Sequence, residues 1–325
     1  MKAIRVEQPG GRDVLSYVDV PEPRPMDGHV LVAIEFAGVN FMDVYQREGV
    51  YQIPTPFTLG TEAAGTVVEV GPGGADVRIG DRVVYQGVQG AYSERAVVPA
   101  DRLVRLPDTV STRDAAALLL QGLTAHYLAT STYALTAGDT CLVHAAAGGV
   151  GLFLCQIAKL RGARVIGTVS TDRKEALARA AGADHVIRYT TQDFVAATKR
   201  WTGNRGVDVV YDSVGRTTFD QSLDCLAPRG LMVLFGQSSG AVAPIDPQTL
   251  NKKGSLYLTR PTLGHYVATR DELLHRTREL FDWLGTKQLS VRIDRELPLA
   301  EAAEAHRVLE NRETTGKLLL KPEGR

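Results

Sequence analysis

The stretch LVHAAAGGVGLFLCQIAKLRGARVIGTVSTDRK, residues 142–174, runs from a short apolar segment through clustered glycines into an amphipathic segment, then into a second β-branched segment. Those are the parts of a strand, a tight turn, a helix and a parallel strand. The turn reads Ala146, Ala147, Gly148, Gly149, Val150, Gly151, an AxGxxG variant of the GxGxxG dinucleotide fingerprint with alanine in the first glycine position. Gly148 would let the backbone approach a pyrophosphate, and Gly151 would let the helix pack on its strand. The helix N-terminus around Gly149 and Val150 would offer unpaired N–H groups to the anion. Glycine serves any tight turn, so the pattern gains its weight from its position between a strand and a helix.

The alternation continues. Strands are expected at 140–145, 164–169, 185–188, 207–211, 231–235 and 255–259, and helices at 149–161, 173–181, 192–202 and 217–226. Six strands with crossover helices predict an α/β fold, a Rossmann-type doubly wound parallel sheet, over residues 123–263. Upstream, Val30, Val32, Ile34 and Phe36 alternate with more variable partners, and Gly60, Gly65, Gly71, Gly73, Gly74 and Gly80 punctuate short segments. That reads as an irregular, mainly β domain. Ser111 and Asp114 mark a helix start, and residues 121–129 read as a second helical stretch. After Pro261 come a helix at 269–285, a strand, a helix at 299–310 and a strand at 317–320. This tail is too short for a core of its own, so it is expected to return to the first domain, giving 1–122 with 264–325.

Lys and Arg total 37 and Asp and Glu total 37, so no long-range field favours nucleic acid or an anionic membrane. No apolar run approaches the roughly 20 residues of a bilayer span, and the N-terminus MKAIRVEQPGG lacks the apolar core of a signal peptide. A cytoplasmic protein acting on a small molecule is the expectation. Cys141, Cys155 and Cys225 are scattered and unpaired in spacing, which argues against a disulfide framework or a cysteine-built zinc site. His126 and His144 read as satisfied buried or half-buried groups rather than metal ligands.

Dinucleotide sites that take NAD usually place an acid at the end of the second strand, to bind the adenosine ribose. Here that position is Val169, followed by Ser170, Thr171, Arg173 and Lys174. Hydroxyls and cations suit a 2′-phosphate, so NADPH is preferred to NADH. The competing reading has Asp172 reach the ribose after a small loop shift. Cations at a helix start oppose its macrodipole, which favours their being anion ligands.

With the turn in place, the chain resembles the medium-chain dehydrogenase/reductase superfamily, in particular its zinc-free quinone oxidoreductase and zeta-crystallin branch. The resemblance rests on GVNFMDVYQREGVY (38–51), LGTEAAGTVVEVG (59–71), GDRVVY (80–85), AAGGVG (146–151), DSVGR (212–216), FGQSSG (235–240) and GSLYLTRPTL (254–263). It implies a GroES-like catalytic domain beside the Rossmann domain. The zinc alcohol dehydrogenases of the superfamily have a catalytic Cys where this chain has Asn40 and a His where it has Thr61, and they carry a four-cysteine zinc loop that is missing here. No zinc is therefore expected.

Without a Lewis acid, a quinone is a suitable acceptor, because the charge it gains spreads over two oxygens. By resemblance, Asn40 and Tyr45 line the nicotinamide end as the catalytic residues, the Asn40 amide hydrogen-bonding to cofactor or acceptor and Tyr45 donating to a developing oxyanion without being an obligatory general acid, with Thr124, Leu258 and Arg260 nearby. The alternative for Tyr45 and Tyr51 is amphipathic packing, with rings buried and hydroxyls at the surface. Ser170, Lys174 and Tyr189 are implied around the ribose phosphate, with Arg312 reaching over from the tail or else pairing with Glu310 or Glu313. Thr168, Ser213, Phe235, Gly236 and Ser239 are implied at the carboxyl ends of the strands, with Gly148, Gly149 and Val150 on the pyrophosphate. The resemblance also implies a homodimer through the sixth strand, whose edge would otherwise be exposed. Two rival functions stand beside quinone reduction: a zinc-free enone or enoyl reductase, and an NADPH-binding structural or RNA-binding protein.

Overall fold

The computed structural model describes residues 1–73 and 76–323; Gly74 lies outside the described residues. Two compact units form. One comprises Met1–Leu120, Thr269–Thr286 and Val291–Arg325, the other Gln121–Ala268 and Lys287–Ser290.

In the first unit the described residues build a seven-stranded sheet in the order Ile293–Pro298, Lys317–Lys321, His29–Val39, Glu62–Val70, Arg82–Gln86, Val104–Arg105, with Arg95–Pro99 also paired to His29–Val39. The period-2 pattern of the long strand sends Val30, Val32 and Ile34 into the core and leaves Glu35 exposed. The tail adds its last strand antiparallel to this one, with Leu318 opposite Val39 and Leu320 opposite Ala37. Leu299, Ala302, Ala305, Val308, Leu318 and Leu320 share one buried cluster with Val30, Val32 and Tyr85. Each such leucine contributes about 1.5–3 kcal/mol by leaving water, which is what binds the end of the chain to its beginning.

Residues 121–129 are not a separate helix. A single helix, Thr112–Tyr127, runs on into a π-helical turn, Leu128–Thr132. Ser111 Oγ accepts the Asp114 N–H at 3.0 Å at its start. No proline or cap interrupts it, and Ala115–Leu120, Leu123 and Ala125 are all buried, so Gly122 alone does not end it.

In the second unit six parallel strands, Thr140–Val143, Arg164–Val169, His185–Arg188, Val207–Asp212, Leu226–Leu234 and Tyr257–Thr259, lie in the order third, second, first, fourth, fifth, sixth. The chain reverses direction across the sheet between the first and fourth strands, which opens a crevice at their carboxyl ends. Gly149–Leu160, Asp172–Ala180, Phe194–Trp201 and Phe219–Cys225 are the helices that follow the first four strands. The fifth strand starts earlier than expected, at Leu226, because a register shift between Val207 and Val209 and the left-handed Arg229 (φ 62°) let its first residues pair. Among the described residues no helix is long and apolar enough to cross a membrane.

Candidate functional site

The chain leaves the first strand of the second unit through Ala145, held at φ 52°, whose carbonyl accepts the Gly148 N–H at 2.8 Å. Non-glycine residues seldom adopt this conformation, and they do so mostly where a turn is fixed by its surroundings. A Cβ on Gly151 would stand 2.3 Å from Ala145 O and 2.8 Å from Ala146 Cα, so only glycine lets helix Gly149–Leu160 sit this close to its strand. Gly148 is the N-cap and supplies no side chain to the helix end. The first intrahelical bond is Leu152 N–H to Gly148 O, 2.9 Å, which leaves the N–H groups of Gly149, Val150 and Gly151 without helical acceptors. A helix end with unpaired N–H groups, whose own glycines carry no side chains, fits a pyrophosphate.

Beneath this turn lies a buried polar network that sequence reasoning missed. His144 Nδ1 is 3.0 Å from Thr168 Oγ1 and its Nε2 is 2.9 Å from Ser222 Oγ. Asp212 Oδ2 accepts from Thr218 Oγ1 at 2.7 Å, while its Oδ1 accepts the N–H groups of Val214 and Gly215 at 2.7 and 3.0 Å. Burial holds His144 below the usual imidazole range, so the ring is a neutral bridge between the ends of the second strand and the fourth helix. Thr168 is 1% exposed, so its hydroxyl supports the crevice from below.

At the end of the second strand Thr171 Oγ1 caps the following helix through the Lys174 N–H, 3.3 Å. Asp172, the rival ribose ligand, is hydrogen-bonded by Arg188 of the third strand, which also pairs with Glu175 at 3.4 Å. Both acids of this helix start are thus turned to one guanidinium, a partner that no local motif announced. Ser170 and Lys174 are half-buried beside them, and Tyr189 is exposed.

Ser213 leads the turn held by Asp212, and Gly236 passes so close that a Cβ there would lie 2.6 Å from Ser213 O. Phe235 N–H bonds Asp212 O at 2.9 Å. Ser239 Oγ donates to Val214 O at 2.7 Å and accepts the Thr217 N–H at 3.1 Å, so it locks this turn. Leu258 packs on the sheet's core from the sixth strand, and Arg260 follows, exposed. Thr124 is buried on the helix Thr112–Tyr127.

The first unit holds Asn40, Tyr45 and Arg312. Asn40 is buried at the N-cap of helix Phe41–Arg47. Its Nδ2 donates to Gly38 O at 3.2 Å and Glu62 Oε2 at 2.9 Å, and its Oδ1 accepts from Lys317 Nζ at 2.8 Å. Lys317 Nζ also reaches Glu62 Oε2 at 2.5 Å, and Glu62 Oε1 takes the Leu120 N–H at 2.6 Å. Neither charged residue is exposed beyond 1%. The Asn40 amide is therefore the neutral member of a buried ion-pair cluster.

A second chain starts at the Asn40 N–H, which donates to Asp43 Oδ2 at 2.8 Å; Tyr92 Oη donates to the same oxygen at 2.9 Å, and Thr61 Oγ1 lies 3.4 Å from Asp43 Oδ1. Tyr92 in turn lies 3.4 Å from His306 Nε2, and His306 Nδ1 faces Arg47 Nη1 at 3.1 Å. Because a guanidinium only donates, His306 Nδ1 is the acceptor and Nε2 carries the hydrogen. Burial raises the Asp43 carboxyl to about 7, against the pull of its donors Asn40 and Tyr92. Burial, with Arg47 beside it, lowers His306 to about 3. Asp43, Glu62, Tyr92, His306 and Lys317 were not singled out from the sequence, although an acid in TEAAG and a lysine opening KLLLK were visible as charges in buried strands.

Tyr45 is half-buried, its ring edge-on to Tyr51 at 5.3 Å between centroids. Arg312 is exposed at φ 59°. Of the acids suggested as its partners, Glu310 pairs with Arg47 and Arg12, and Glu313 with Arg307. Zinc finds no donor set: among the described residues no group of three or more His, Cys, Asp or Glu side chains is arranged so that it could hold a metal ion, and the three cysteines are buried in the second unit.

A family model described as the alcohol dehydrogenase GroES-like domain matches residues 26–108, and one described as zinc-binding dehydrogenase matches residues 149–277. The quinone oxidoreductase 1 of Escherichia coli K12 is 47% identical over 98% of this chain and 100% of its own length. A 2-haloacrylate reductase from a Burkholderia species is 40% identical, with 98% of each chain covered. An E. coli quinone oxidoreductase solved in complex with NADPH superposes with a TM-score of 0.97 at 46% identity, covering 99% of this chain and 100% of that one.

Proposed function

Because this chain belongs to the quinone oxidoreductase branch of the medium-chain dehydrogenase/reductase superfamily, we propose that it catalyses the NADPH-dependent reduction of quinones. The observation that carries the reading is the uncapped, glycine-lined N-terminus of Gly149–Leu160 at the point where the sheet order reverses. The NADPH-bound relative supports the choice of nucleotide. When bound, a reduced nicotinamide supplies the two electrons.

The residues divide the remaining work. Gly148, Gly149 and Val150 receive the pyrophosphate on backbone N–H groups. Ser170, Lys174 and Tyr189, with Arg312, take the 2′-phosphate, and Arg188 helps by neutralising Asp172 and Glu175, which would otherwise repel it. Ser213, Phe235, Gly236 and Ser239 shape the wall of the crevice, Thr168 braces it from beneath, and Thr124, Leu258 and Arg260 flank the nicotinamide half. Asn40 acts as a fixed wall, since both its amide hydrogens and one acceptor site are already used. Tyr45 offers its hydroxyl to an acceptor oxygen. A quinone asks little more of the protein than orientation and exclusion of water, because its own ring delocalises the incoming charge. The chain works in the cytoplasm as a homodimer joined along the sixth strand, whose Tyr257 is 62% exposed.

The 2-haloacrylate reductase relative supports a second reading, reduction of an activated carbon–carbon double bond. Steady-state oxidation of NADPH and NADH with a quinone panel and a 2-haloacrylate separates the two. Turnover of the haloacrylate alone would replace the quinone reading, and equal use of both nucleotides would overturn the choice of NADPH.

A further inference from the structure

One polar atom at the phosphate turn is left without a partner. Gln121 Oε1 is shut off from solvent and receives no hydrogen bond. The Gln121 side chain lies directly over Gly149: a Cβ there would stand 2.0 Å from Gln121 Oε1, 2.3 Å from Cδ and 2.5 Å from Nε2. The Gln121 amide thus occupies the space that a side chain at Gly149 would enter. A buried acceptor without a donor is costly and rare enough to call for an explanation.

The turn therefore leaves two kinds of group unsatisfied at one place. The N–H groups of Gly149, Val150 and Gly151 need acceptors, and Gln121 Oε1 needs a donor. The two do not satisfy one another, since Gln121 does not cap the helix. A ligand that suits both carries an anion directly next to a hydroxyl. In NADPH that is the pyrophosphate followed by a ribose. Gln121 and Thr124 are three residues apart on one helix and share a face. The adenosine side, by contrast, belongs to the end of the second strand.

Resting on the NADPH reading above, we propose that Gln121 is a cofactor ligand whose Oε1 accepts a hydroxyl of the ribose on the nicotinamide side of the pyrophosphate. The acceptor is unsatisfied over Gly149 in the free protein; when the nucleotide binds, the amide turns from that position to meet the hydroxyl and becomes satisfied. Binding thus gains a hydrogen bond whose acceptor has no partner to give up.

The test is Gln121→Leu, which keeps the bulk over Gly149 and removes the acceptor. Affinities for NADPH and for 2′,5′-ADP, which lacks the second ribose, are measured by calorimetry, together with the thermal midpoint of the nucleotide-free protein. About tenfold weaker NADPH binding is expected, as for the loss of one hydrogen bond, with 2′,5′-ADP binding unchanged and the nucleotide-free midpoint equal or higher. Gln121→Glu is expected to weaken NADPH binding further, since it sets a carboxylate beside a diphosphate. Unchanged NADPH affinity in Gln121→Leu would overturn the assignment, as would equal weakening of both ligands or a lower midpoint, which would mark a structural role. Failure of the parent protein to bind NADPH would instead remove the functional reading on which the assignment rests.

Discussion

Replacing Asp43 by Asn should uncover an acid sensitivity that the parent protein hides. The substitution is nearly isosteric. Asn Oδ1 can keep the bonds that Asp43 Oδ2 accepts from Asn40 N–H and Tyr92 Oη, while Nδ2 can donate to Thr61 Oγ1. It therefore imitates the protonated carboxyl. Burial raises Asp43 from 3.8 to about 7, so the folded state holds this proton more tightly than the unfolded chain. Stability from this group is full below about pH 4 and is lost as pH rises toward 7. Over about three pH units, at about 1.4 kcal/mol each, the loss is roughly 4 kcal/mol.

His306 has the opposite sign. Lowered from 6.5 to about 3, it is kept neutral in the fold while the unfolded chain takes up a proton, so it costs stability as pH falls from 6.5 toward 3. Between pH 4 and 6.5 the two slopes oppose each other. In Asp43→Asn the histidine acts alone, and stability should fall by roughly 3 kcal/mol from pH 6.5 to pH 4 relative to the parent. Guanidinium unfolding of both proteins at half-unit steps from pH 4 to 8 measures it. A stability difference between them that stays constant across that range would refute the reasoning, because it would mean that Asp43 titrates alike in both states.

The other expected outcomes concern separate parts of the molecule. Lys317→Met leaves Glu62 buried without its partner and should cost about 3–5 kcal/mol in denaturant unfolding; adding Glu62→Gln should recover much of that. Gly151→Ala forces a Cβ against the Ala145 carbonyl, and both stability and NADPH affinity should drop, by at least about 1–3 kcal/mol in stability as for overpacking elsewhere. Lys174→Ala should lower kcat/KM for NADPH by about 10–100-fold and leave NADH little changed, as expected for one charge-assisted hydrogen bond. Arg188→Gln, which frees Asp172 and Glu175, should move the NADPH:NADH ratio in the same direction as Lys174→Ala, measured in the same assay.

The sequence by itself determined the elements whose signals are local. The glycine turn, the alternation of strands and helices after residue 140, the absence of an acid at Val169 and the Ser111 cap each depend on residues within a few positions of one another, where backbone sterics and side-chain periodicity act directly. It misjudged the continuous helix Thr112–Tyr127, because a lone glycine in an apolar run costs less than the burial gained on either side. Tertiary structure alone decided what the polar groups face. Lys317 meets Glu62 across 255 positions, His306 meets Arg47 across 259, and Arg188 takes Asp172 across 16. Such pairs have no short-range signature: the chain path of the whole fold brings the partners together, and a buried charge such as Glu62 is tolerated only because its counter-charge, Lys317, arrives that way.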